Sequence, residues 1–189
     1  MTKTFRNIHI YLSLFFLPVA LIYAITGILY ISGFDQDSGA TINTYTHKIS
    51  SNTQNINEAD ILTSYLKENN IALPKATEPK IDKKSGALSM GSTHYLASIK
   101  KGEISNNEIT YNITTKERSF IGDLIMLHKS KGAWYFNILA IGFGITLILL
   151  YMSGLMITLF ANKKKRGIQY ATILAGFIAT IILGCMSVL

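Results

Sequence analysis

The chain has 189 residues, 49% of them hydrophobic, with a formal charge of +7 and one cysteine, Cys185. A single cysteine excludes an internal disulfide, so any polar domain must fold on packing alone. The positive charge does not point to nucleic acid. Lys3, Arg6, Lys163, Lys164, Lys165 and Arg166 flank uncharged apolar runs, while the other 12 bases share one nearly neutral polar stretch with all 11 acids.

Three runs, 10–31, 133–161 and 168–189, are almost free of charge. Each reaches the roughly 20 residues that a helix needs to cross a hydrocarbon core. Basic short flanks mark the cytoplasmic side of a membrane. They place a tail at 1–7 and a loop at 162–167 in the cytoplasm, with residues 33–131 outside, in the periplasm of a bacterium. The expected location is thus the inner (cytoplasmic) membrane, with the C-terminus outside. The first span is expected at 8–32. Its apolar stretch exceeds the ~7–15 residues of a signal h-region and no A-x-A site follows, so it reads as an uncleaved anchor. Pro18 lies inside it, where neighbouring helices can compensate for the lost hydrogen bond.

His9 opens this span. At helical spacing from it stand Ser13, Phe16, Ala20, Tyr23 and Gly27, a smaller and more polar face than Leu14, Leu17, Leu21, Ile25 and Ile28. Small and weakly polar residues favour helix contacts in lipid, so His9 is expected to face a partner helix.

The polar insert, 33–118, begins with a Ser/Thr/Asn-rich loop over 33–56 holding a short strand at Thr41–Lys48. Asn57 caps a helix with Glu58 and Asp60 in its first turn; Ile61, Leu62, Tyr65 and Leu66 form its stripe and Asn69-Asn70 ends it. Pro74 and Pro79 delimit a linker. Lys80–Lys84, Ala87–Gly91, Tyr95–Lys100 and Ile109–Thr114 then read as strands, with turns at Ser85-Gly86 and Lys101-Gly102. A helix packed on a small antiparallel sheet follows from this pattern. The fold class is α+β: a membrane protein of three transmembrane helices with one small α/β insert between the first two.

Residues 119–131 read as a short amphipathic helix along the outer membrane surface, with Phe120, Leu124, Leu127 and His128 on one face and Ile121 and Ile125 widening it. Gly132 turns the chain inward, and Trp134 and Tyr135 fall where an aromatic belt belongs. The second span is expected at 133–161, with Gly142 and Gly144 admitting a neighbour, and the third at 168–188. Thr172, Gly176, Thr180 and Gly184 stand four apart on the third, a stripe that suits packing against the second span or a seam with a second copy.

The order of parts resembles the PepSY-associated transmembrane family. Arg6-Asn7-Ile8-His9 matches its Arg-x-x-His pattern at the first span, Leu127-His128 its pre-membrane Leu-His, and Ser153-Gly154 the Ser-Gly late in the following span. The insert would then be PepSY-like, although its last turn, Thr114–Arg118, lacks the family's glycine. The resemblance implies one of two roles. Longer members look like inner-membrane reductases of iron–siderophore complexes that carry b-type haem on helix histidines, and other PepSY-bearing proteins are read as regulators of secreted peptidases. Three spans rather than four or more depart from the reductase-like pattern.

Haem iron is commonly held by histidine, alone or with methionine. His9 and His128 therefore read either as polar side chains at the headgroup level or as haem ligands. About 20 helical residues between their levels make roughly 30 Å, so one haem cannot take both. Within one chain His9 would pair with Met152 or Met156, and His128 with Met126, Cys185 or Met186. In a homodimer, two copies of His9 would share one haem and two copies of His128 another. His47 and His94 read as surface residues, too isolated for zinc. Asp123 is the acid nearest His128, but five residues separate them. No phosphate loop, nucleophile elbow, flavin motif or nicotinamide motif is present. The expected function is a haem-b-binding electron-transfer protein linked to metal-chelate reduction; the alternative is a non-enzymatic accessory protein whose insert binds a periplasmic partner.

Overall fold

A computed structural model describes residues 2–50, 57–82, 85–105, 107–161 and 166–188. The elements, in chain order, are α1 (Thr2–Ile31), β1 (Thr41–Ser50), α2 (Glu58–Glu68), β2 (Lys80–Ile81), β3 (Leu88–Gly91), β4 (Tyr95–Ser105), β5 (Glu108–Glu117), α3 (Phe120–His128), α4 (Trp134–Ala161) and α5 (Arg166–Val188). Three of them, α1, α4 and α5, are long and apolar enough to cross a membrane. The chain divides into two compact units, residues 22–137 and residues 1–21 with 138–189.

In the first of these units the sheet is antiparallel, in the order β1-β5-β4-β3-β2. α2 covers one of its faces. Asn57 caps α2 by accepting from the Ala59 amide, as its short side chain and position before Glu58 suggest. Leu62 and Leu66 of α2, with Ala97, Ile99 and Ile113 of the sheet, are buried to within 1% of full enclosure. Leu88, Met90 and Tyr111 complete this core. Alternation explains the choice: Ile99 and Ile113 stand opposite one another, as do Ala97 and Thr115, and all four point to the α2 side.

Two strands outrun their sequence signal. β1 reaches Ser50, and β4 continues through Lys101-Gly102, where a turn was expected. The register shifts between Lys101 and Ile104, so the glycine is absorbed by an irregularity in the ladder. The turn follows at Asn107, whose φ of 62° is one that asparagine tolerates. β2 is shorter than expected, Lys80–Ile81, and residues 83–84 and 51–56 lie outside the described residues. In the loop before β1, the Asp37 amide and then the Ser38 hydroxyl hold the Asp35 carboxyl below its ordinary value.

One position here has no freedom. At Gly91, φ is +133°, and a Cβ would lie 2.3 Å from the Tyr95 carbonyl oxygen and 2.9 Å from the Leu96 Cα. Both are backbone atoms of the paired strand. Gly91→Ala should therefore destabilise the sheet by at least about 1–3 kcal/mol, seen as a lower denaturant midpoint for the full-length protein.

α3 forms within the stretch where a short helix was expected. Ser119 caps it, accepting from Gly122 N. Gly122 and Ile125 are its buried residues, and Phe120 is 75% exposed. The reason is close approach: a Cβ on Gly122 would sit 2.6 Å from the Gln36 carbonyl, so the loop before β1 lies against this helix. Lys129 to Gln36 and Ser119 to the Ser38 carbonyl tie the same two segments.

The second unit contains the start of α1 with α4 and α5. Phe16 and Val19 are buried and Leu14, Leu17 and Leu21 exposed, as the small-face reading of α1 requires. Phe16 packs on Phe143, and its ring lies against Gly142. α5 has no buried residue. A Cβ at Gly176 or Gly184 would meet nothing within 4 Å, so the stripe of small residues is not packed on α4 at those positions.

Candidate histidine site

The two histidines at the span edges share one arrangement. His9 Nδ1 lies 3.0 Å from Ser153 Oγ. Ser153 in turn donates its own proton to the Leu150 carbonyl at 3.0 Å. A hydroxyl has one proton. With that proton committed, Ser153 accepts, and His9 Nδ1 must be the protonated nitrogen. In the neutral imidazole Nε2 then carries the lone pair.

His128 repeats the logic. Its Nδ1 lies 2.6 Å from Thr26 Oγ1. Thr26 is 1% exposed and donates to the Ile22 carbonyl one turn earlier. His128 Nδ1 therefore donates, and in the neutral imidazole Nε2 carries the lone pair. Its ring stacks on Tyr23 at 4.5 Å between centroids and 26° between planes. Tyr23 and Thr26, three apart on α1, thus grip one imidazole by face and by edge.

His9 borders an open pocket of about 620 Å³ lined by α1, α4 and α5. Its wall is mostly aliphatic, including Leu147, Leu150, Leu155, Ile168 and Ile173. Gly154 faces the imidazole: a Cβ there would stand 4.0 Å from His9 Cε1, an ordinary contact. The polar lining is His9, Tyr151, Thr158, Gln169 and Thr172. Thr158 and Thr172 commit their protons to the carbonyls of Gly154 and Ile168. Gln169 Oε1 is buried and has no hydrogen-bond partner among the described residues.

The expected sulfur ligands are elsewhere. Met152 and Met156 are exposed and are not on the cavity wall. Met186 and Cys185 are exposed on α5. Asp123 does not serve His128. It lies in α3 with its Oδ2 2.7 Å from His94 Nδ1, and Glu117 stands 3.6 Å from His94 Nε2. His94 is surface-exposed as expected, yet it fastens α3 to the sheet. His47 lies beside Tyr65 at 5.0 Å. Among the described residues no three His, Cys, Asp or Glu side chains gather as a metal site. A haem needs no such cluster, and the donor set is compatible with one: an imidazole with an oriented ring and, at His9, an open pocket with an aliphatic wall.

Thr26 and Gln169 were missed from sequence. Thr26 stands one position from the small face of α1, and Gln169 is a lone amide at the start of an apolar helix. A search for hydroxyls and amides near the span ends would have found both.

No family model matches the chain, and neither curated proteins nor solved structures provide a match.

Proposed function

We propose that this is an electron-transfer protein of the bacterial inner membrane that holds b-type haem through His9 Nε2 and His128 Nε2. The observation that carries the reading is the pair of hydroxyl-fixed imidazoles. Metal-ligating histidines characteristically donate their other ring nitrogen to an acceptor that sets tautomer and orientation. Here Ser153 and Thr26 do so, and each is itself fixed by a backbone carbonyl. Three of these four residues also fall in the stretches that resemble PepSY-associated transmembrane proteins: His9, His128 and Ser153.

Bound haem supplies a one-electron ferric/ferrous couple. The chain's part is to hold the iron by a neutral nitrogen and to exclude water with aliphatic walls. In this reading the N-terminus is cytoplasmic, residues 33–131 are periplasmic, and electrons leave toward an iron or other metal chelate outside. The uncovered stripe Thr172, Gly176, Thr180 and Gly184 is where a second copy would pack.

A second reading, an accessory protein whose insert binds a partner, has one observation in its favour. The sheet face away from α2 carries Thr44, Thr46, Ser98, Lys100, Asn112 and Thr114 in register. It is a broad polar surface.

The test is the visible spectrum of the full-length protein purified in detergent after haem-replete expression. A Soret band and a dithionite-reduced α band are expected. No Soret absorbance would remove the haem reading and leave the accessory one.

A further inference from the structure

His94 stands between two carboxylates. Its Nδ1 lies 2.7 Å from Asp123 Oδ2 on α3, and its Nε2 lies 3.6 Å from Glu117 Oε1 at the end of β5. An ionised carboxylate only accepts, so Nδ1 donates to Asp123. A neutral imidazole has one N–H. With that proton on Nδ1, the lone pair of Nε2 is held 3.6 Å from a second anionic oxygen. The protonated ring carries an N–H on each nitrogen, and only that form suits both neighbours.

The charges around the ring call for the same form. Asp37 takes the ion pairs of Lys116, at 3.0 Å, and of Arg118, at 3.6 Å. Arg118 also reaches the loop of His94, donating from its side chain to the Thr93 carbonyl and from its amide to the His94 carbonyl at 2.8 Å. The Thr93 hydroxyl in turn donates to the Lys131 carbonyl beyond α3. In this network Asp37, Glu117 and Asp123 stand against Lys116 and Arg118, and a charged His94 completes the balance. Asp123 has no other side-chain partner among the described residues, and its Oδ1 is buried without a hydrogen bond. When the imidazole becomes neutral, that carboxylate loses its counter-charge.

We propose that His94 is a pH-responsive clasp: its imidazolium fastens α3, the helix that ends in His128, to the sheet, and loss of its proton loosens that helix. Imidazole is the side chain that changes charge between about pH 5 and pH 8. His94 is 55% exposed, so protons reach it from solution. The docked arrangement uses the charged form. The clasp is therefore closed at the acid end of that range and opens as pH rises through it. His128, at the last turn of α3, is held to α1 by Thr26 and Tyr23. The insert thus passes the acidity around it to the footing of that histidine. The inference is independent of what His128 binds.

The test is amide hydrogen exchange of the full-length protein in detergent, read by mass spectrometry and corrected for the intrinsic pH dependence of exchange. Protection of residues 120–128 should fall by about five-fold between pH 5.5 and pH 8, the upper end for an ion pair this exposed. β5 is the internal reference and should hold its protection. His94→Gln keeps a polar side chain without a titrating charge, and should show the low protection of α3 at both pH values. Asp123→Asn keeps an acceptor for Nδ1 but not the charge, and should likewise lose the pH dependence; it also serves should the glutamine variant fold poorly. Equal protection of wild-type α3 at the two pH values overturns the clasp. So does a pH dependence that survives in either variant, or a loss shared equally by α3 and β5.

Discussion

If His9 holds haem as proposed, His9→Ala is expected to abolish its binding in the α1–α4–α5 pocket, and Ser153→Ala to weaken it by about 10–100-fold. The difference between the two separates ligation from orientation. Alanine at residue 9 deletes the nitrogen. Alanine at residue 153 leaves the nitrogen but frees the ring to turn and to exchange its tautomer, because the acceptor of the Nδ1 proton is gone. A loss of 10–100-fold corresponds to about 1.4–2.8 kcal/mol. The second imidazole gives the parallel pair. His128→Ala removes its ligand, and Thr26→Val keeps shape while deleting the accepting oxygen. Haem titration of detergent-purified variants, followed at the Soret maximum, checks all four. Equal affinity in Ser153→Ala and wild type would show that the hydroxyl does not orient a ligand.

The second large effect concerns the insert. Leu62 is fully buried between α2 and the sheet. Its truncation to alanine should cost about 2–5 kcal/mol through lost burial and the cavity left behind. A domain of this size has only about 5–15 kcal/mol to lose, and with one cysteine in the chain no internal disulfide supports it. Leu62→Ala should therefore make residues 41–117 markedly more sensitive to limited proteolysis in the full-length protein. Ile81→Ala is the control: Ile81 is 72% exposed, and surface changes of that kind usually stay within about 0.5 kcal/mol. Equal sensitivity in the two variants would contradict the assigned core.

Periodicity made the core legible. Ile61, Leu62 and Leu66 recur at helical spacing and Ile109, Tyr111 and Ile113 at strand spacing, and five of these six are buried in the structure. Boundaries were less legible. Gly102 reads as a turn because glycine permits one, yet strand pairing on either side absorbs it, and the chain reverses at Asn107 instead. At α3 the small Gly122 decides which side is approached by Gln36. Of the candidate site, the two histidines were visible because each stands beside an apolar run. Their hydroxyl partners are 144 and 102 residues away in sequence, a separation that no local pattern reports. Met152 and Met156 stand outside the lining of the pocket beside His9.

The pairing of Thr41 with Glu117 has a consequence for how this chain is put together. It brings the first residue of β1 and the last of β5 side by side, at the roughly 5 Å that separates opposed Cα atoms in an antiparallel pair. All the sheet and α2 lie between those two points. The insert is thus a detachable bead on a closed loop. A turn of a few residues in its place would rejoin the loop that leaves α1 to the segment that enters α3 without stretching either. Thr26 and His128 lie outside the excised stretch, but His94 of the bead holds Asp123 of α3 at 2.7 Å, so a replacement must supply that tie to keep the helix of His128 in place.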